Sequence, residues 1–202
     1  TRYEDIKFVS KETDLFSSES GTLITDVLSG VDAVNAMYPD GVENFFTSDP
    51  PRHAQLRSLL TFAFSRRRIL GMHDRIENIM KVYLDRIESG AEIEFVSNVS
   101  IPVPIEVIQI FMDLEDMPID DAYHWSEAVF KMGSDLSEAE YKEIGASLQG
   151  MVAYFDAIVE ARRKDPKDDF IGRLVVSEVD NKNINNMMVE MYCQTIMVAG
   201  NE

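Results

Sequence analysis

The sequence predicts a mainly α-helical protein. Apolar residues recur at helical spacing in successive stretches from Asp49 to the chain's last residues. Most of these stretches open on a capping side chain, namely Asp49, Ser65, Ser137 or Asn185. Strand-like alternation is confined to Glu92-Ile93-Glu94-Phe95.

The elements follow in chain order. Ile6, Phe8 and Val9 would bury one side of a short first helix. From Glu19 to Ser48 periodicity is weak, and Gly21, Gly30, Pro39, Asp40 and Gly41 punctuate the stretch. A long irregular connection in a compact domain usually has a function. Phe45 and Phe46 close it, and paired aromatics before a helix commonly anchor that helix to the core. Asp49 is a good N-cap for a helix reaching Phe64, with Pro50 at the first helical position, where a missing N–H costs nothing. Ser65 can cap a second helix to about Ser89, stopped by Gly90. Val96 to Leu114 is apolar and helical, best formed from Ile105 to Phe111. Pro118 opens a helix running to Lys131. Ser137-Glu138-Ala139-Glu140 is a capping box for a long helix to Arg163, broken by Asp165-Pro166. Asp168-Asp169-Phe170-Ile171 starts a short helix, and Asn181 to Asn183 form a polar turn. Asn185 caps the last helix, which is apolar on nearly every side and therefore central. The chain reads as a single domain with no internal boundary.

One pair of residues needs an explanation. On the helix after Asp49, Leu56, Leu59, Leu60, Ala63 and Phe64 gather on an apolar face. His53 and Arg57 are spaced i, i+4 in line with Leu60 and Phe64. Two cations one turn apart repel, and burying either without a partner is costly. No acid occurs between Pro50 and His73. A ligand bearing carboxylates or phosphates would answer the pair. So would a distant Asp or Glu, with His53 as a rim residue.

Composition bounds the remaining classes. The chain has 202 residues, 45% hydrophobic and 27% charged, as in a soluble globular protein. No apolar run is long enough to span a bilayer. Thr1 to Lys7 is polar and is read as no signal peptide. The single cysteine, Cys193, excludes an intrachain disulfide and fits a cytoplasmic setting. A net charge of −17 disfavours nucleic acid and anionic membranes. Against it stands a basic island of Arg52, Arg57, Arg66, Arg67 and Arg68, which is either a solvated helix end or a docking patch for an acidic partner. The three histidines show no paired metal spacing, and no phosphate loop or nucleophile elbow is present.

Asp49-Pro50-Pro51-x-His53-x-x-x-Arg57, followed by Ala63-Phe64-Ser65-x-Arg67, resembles the helix C signature of soluble, bacterial-type cytochromes P-450. Val198-Ala199-Gly200-Asn201-Glu202 resembles that family's helix I motif, Ala-Gly-x-Asp/Glu-Thr. The resemblance implies a haem-dependent monooxygenase that activates O2 and hydroxylates an apolar small molecule. The fold implied is the middle of a cytochrome P-450 domain, from the helix B region to the first part of helix I. By carry-over, His53 and Arg57 hold the propionates of haem b, and Ala199 and Gly200 make room over the iron. Glu202 serves proton delivery. Phe46, Thr195 and Val198 face substrate. Arg66, Arg67 and Arg68 lie on the side where a ferredoxin-type electron donor docks.

The sequence also departs from that family. The Phe-x-x-Gly-x-x-x-Cys-x-Gly loop that carries the iron's thiolate ligand is not among these residues, so no metal ligand is assigned. Cys193 stands in the wrong context to replace it. The chain as it stands is expected to be inactive. Two other classes compete: a non-catalytic helical module whose basic island docks an acidic protein, and a helical nucleic-acid binder using Arg52 and Arg66 to Arg68.

Overall fold

The computed structural model describes residues 2–19, 21, 28, 42–90, 92–132 and 136–201. Among these the α-helices are α1 (Tyr3–Lys11), α2 (Arg52–Ser58), α3 (Arg66–Gly71), α4 (His73–Leu84), α5 (Pro102–Met112), α6 (Ile119–Lys131), α7 (Glu138–Lys164), α8 (Phe170–Val175) and α9 (Asn186–Gly200). A 3-10 turn at Phe45–Thr47 and a π-helical turn at Val96–Ser100 join them. The described sheet is one two-stranded hairpin, β1 (Glu178–Val179) antiparallel to β2 (Lys182–Asn183). Its turn residues Asp180 and Asn181 both take positive φ, which Asp and Asn tolerate. The predicted mainly α class is the observed one.

The long helix α9 is central and packs against α5, α6, α7 and α8. Met188 to Gln194 are all buried, together with Ile196 and Met197. Fully burying one large apolar side chain is worth roughly 1.5–3 kcal/mol, so this helix dominates the core. Asn185 caps it, its Oδ1 accepting the Met188 N–H at 2.8 Å. The capping box of Ser137 and Glu140 forms at the start of α7. Asp169 caps α8 and also pairs with Arg162 at 2.6 Å. Arg163, at the end of α7, donates to Asn186 Oδ1 (2.9 Å) and to the carbonyls of Val175 and Ile184. One guanidinium thus ties α7 to the end of α8, the hairpin and the start of α9.

Several local expectations give way to tertiary packing. The helix expected from Ser65 to Ser89 breaks at Met72 and ends at Leu84. The helix expected from Asp49 to Phe64 is α-helical only to Ser58; tighter i, i+3 bonds carry the chain on to Ala63. Phe64 turns outward as the twist changes and is 56% exposed. Asp49 does not cap α2 with its side chain. Its Oδ1 accepts the Ser18 N–H at 2.9 Å instead. Residues 92–94 form no strand, since no partner strand lies beside them among the described residues. Ile6, Phe8 and Val9 are exposed, and α1 buries none of its residues.

Glu190 is an acid inside the core, 5% exposed on α9. Burial raises its pKa, and the negative charges of Asp156 and Glu160 add to the effect. A carboxyl whose folded pKa is raised costs stability only above its unfolded value of about 4.3. Below that pH both states hold the proton and the cost disappears; above it the cost grows. Glu190→Gln is therefore expected to raise the melting temperature at pH 7, by about 2–4 °C for each kcal/mol relieved. The gain should shrink as the pH falls towards 4, which thermal melts across pH would show.

Candidate functional site

Tyr192 ties the helix that carries His53 and Arg57 to the helix that carries Thr195, Val198 and Ala199. This tyrosine is fully buried on α9, and its hydroxyl donates to the Leu56 carbonyl at 2.9 Å. A buried phenol needs such a partner, and the bond fastens α2 to α9. Burial and the nearby Glu43 carboxylate hold the Tyr192 phenol above its usual range. Leu56 itself is fully buried, with Leu59, Leu60 and Ala63 beside it in the core.

His53 and Arg57 flank Leu56 on α2. His53 is half-buried and Arg57 is exposed. No acid among the described residues pairs with Arg57. Asp49 senses the charge of His53, and its carboxyl is lowered mainly by hydrogen bonds from Ser17 and Ser18. Arg57 therefore stands at the edge of the core without an acid partner among the described residues, and His53 has only the nearby Asp49 carboxylate. Arg52, one residue before His53, is a contrast. Its Nη1 donates to Asp180 Oδ2 and Gln55 Oε1, each at 2.8 Å, and its Nε to Glu43 Oε1 at 2.9 Å.

The end of α9 has one open face. Thr195 and Val198 are half-buried and Ala199 is exposed, about one turn apart on a helix whose middle, Met188 to Gln194, is buried. Tyr192 begins that face. The Phe45 ring stacks on Tyr192 at 5.4 Å and 7°, and Phe46 lies against Phe45 at 4.3 Å. Phe46 is 47% exposed, beside the face rather than in the core. The residues Phe46, Thr195, Val198 and Ala199 thus share one side of the molecule with α2.

Three expectations are corrected here. Gly200 does not open space for a ligand. A Cβ at this position would lie within 2.1 Å of Ile108 Cδ1, so its missing side chain admits Ile108 of α5. Arg68 is not a free docking cation, because its Nη2 donates to Asp113 Oδ2 (2.6 Å) and the Phe111 carbonyl (2.7 Å). Arg52 is spent on Glu43 and Asp180, so the basic island narrows to Arg57, Arg66 and Arg67, which are exposed. Glu202 lies outside the described residues. Cys193 is completely buried and burial raises its thiol pKa, so it is inert in this setting. His73, Asp74 and Glu77 lie close together, but all three are exposed on the first turns of α4.

Tyr192, Ile108 and Asn201 were not singled out by the sequence. The available signal for Tyr192 was a hydroxyl on an otherwise apolar helix, which requires a partner. Nothing local pointed to Ile108.

Haem suits what this side of the molecule offers. His53 and Arg57 can both donate to carboxylates, Arg57 has no acid partner among the described residues, and Thr195, Val198 and Ala199 leave part of α9 uncovered. No helix of the described residues is long and apolar enough to cross a membrane.

No family model matches the chain. It is 28% identical over 204 residues to cytochrome P450 107B1 of Saccharopolyspora erythraea, covering all of this chain and 49% of that protein. It is 27% identical over 201 residues to the erythromycin C-12 hydroxylase of the same organism, covering 98% of this chain and 47% of that one. Among solved structures, cytochrome P450 CYP109Q5 from Chondromyces apiculatus matches with a TM-score of 0.74 at 27% identity, over 100% of this chain and 48% of that chain. The bacillaene polyketide synthase cytochrome P450 PksS of Bacillus subtilis matches with a TM-score of 0.77 at 25% identity, over the same shares. The chain spans about half the length of the curated relatives it matches. Sequence and fold agree along the whole chain in matching the cytochrome P450 superfamily.

Proposed function

We propose that the protein carrying this chain is a haem-dependent monooxygenase that hydroxylates an apolar small molecule. The observation that carries this reading is Arg57, without an acid partner among the described residues, beside half-buried His53 on the helix that the Tyr192–Leu56 bond fastens to α9. His53 and Arg57 would hold the two propionates of haem b through charge-assisted hydrogen bonds. Haem, when bound, supplies the chemistry that activates O2. Ala199 lets the flat group approach the α9 backbone. Thr195, Val198 and Phe46 would line the substrate side and exclude water from it. Glu202, on the strength of its motif alone, would move protons at the end of α9. The iron ligand would come from residues outside these 202. Named relatives include an erythromycin C-12 hydroxylase and a methyl-branched lipid omega-hydroxylase, which supports a bulky, largely apolar substrate. The reading also implies a cytoplasmic enzyme that is reduced by a separate ferredoxin-type donor. Arg66 and Arg67 would meet that acidic partner, speeding encounter more than strengthening the complex.

The test is a carbon monoxide difference spectrum of the reduced natural protein that carries this chain. A Soret band shifted far to the red is expected; a protein that takes up no haem contradicts the reading. In that protein Arg57→Ala should weaken haem retention roughly tenfold to a hundredfold, the value of one charge-assisted hydrogen bond. Transfer of haem to apomyoglobin measures it. Reversing Arg66 and Arg67 to Glu should slow reduction by the donor by about tenfold at low salt, with the difference fading as salt rises. Stopped-flow reduction at several ionic strengths checks this.

A further inference from the structure

The last turn of α9 is gripped from behind by two residues that no motif includes. On one side Ile108 of α5 enters the gap left by Gly200. A Cβ there would meet Ile108 Cδ1 at 2.1 Å and Cγ1 at 2.5 Å. On the other, Asn201 Nδ2 donates to the Ser126 Oγ of α6 at 2.7 Å. Ser126 is buried, and its hydroxyl passes the chain on to the Ala122 carbonyl at 2.9 Å. On a helical wheel Gly200 lies well round α9 from Thr195 and Val198 and a quarter-turn or more from Ala199, so its contact with Ile108 is made away from most of the open face.

We infer that Ile108 and Ser126 are positioning residues for the open face. Neither reaches that face; each fixes the backbone that presents it. The space that glycine leaves at 200 is filled by the Ile108 side chain. A larger residue at 200 would press on the tip of Ile108, which must turn away or push the turn from α5, and the face would move with the turn. Loss of the Ser126 hydroxyl would leave the Asn201 amide unpaired, since its Oδ1 already lacks a partner among the described residues. The turn would then be free to settle in more than one place. This role rests on the open face being the ligand face, as proposed above.

Two measurements in the natural protein test it. The first is a melting-temperature cycle of Gly200→Ala, Ile108→Ala and the double variant. Gly200→Ala should lower the melting temperature, and Ile108→Ala should recover much of that loss because it empties the contested space. Additive losses would overturn the contact. The second is the infrared stretching band of carbon monoxide bound to the reduced protein. Ser126→Ala should broaden or split the band, while Ser126→Thr, which keeps the hydroxyl, should leave it as in the wild type. An unchanged band in Ser126→Ala overturns the role of Ser126. A wild-type protein with no haem band overturns the functional reading and the positioning role with it, whereas the melting cycle would still report the packing of Ile108 on Gly200.

Discussion

The hydrogen bond from the Tyr192 hydroxyl to the Leu56 carbonyl is the constraint on which the site depends. It is buried, and it joins two elements far apart in sequence. Net of water it is worth about 1 kcal/mol, but breaking it would strand a buried phenol, which costs more. Because it lands between His53 and Arg57, it sets where both cations stand relative to α9. Phe45 stacks on the same ring, so the turn carrying Phe46 takes its position from Tyr192 as well. One side chain thus locates the helix of His53 and Arg57 and the aromatic pair Phe45 and Phe46 together.

The position of α9 is secured at its two ends by different means. At its start, Arg163 gathers the end of α8, the hairpin and Asn186 around one guanidinium. At its finish, Ile108 and Ser126 hold the last turn by shape and by hydrogen bond. Between them the helix tolerates an acid, Glu190, whose burial favours its neutral form. That helix packs against α5, α6, α7 and α8 and leaves Thr195, Val198 and Ala199 uncovered or half-covered.

Much of this was legible in the sequence, and what was not has physical causes. Local chemistry survived folding. The caps at Ser65, Ser137 and Asn185 form as expected, and the all-round apolar pattern of α9 correctly marked the central helix. Readings that depended on remote partners fared worse. Arg68 looked free until Asp113, 45 residues away, met it, and Arg52 until Asp180, 128 residues away, did. Gly200 looked like room for a ligand because Ile108 cannot be seen from its neighbours in sequence. Asp49 had the right side chain for a cap but found a donor in Ser18 instead. The apolar residues of α1 gave a correct helix, and burial did not follow.

The central claim is that Arg57, which has no acid partner among the described residues, and half-buried His53 would be met by the carboxylates of a ligand. A crystal structure of the natural haem-loaded protein tests it directly. Both propionates are expected within hydrogen-bonding distance, about 3 Å, of the His53 imidazole and the Arg57 guanidinium. Propionates held by other residues, with Arg57 turned to solvent or paired with a protein acid, would contradict it.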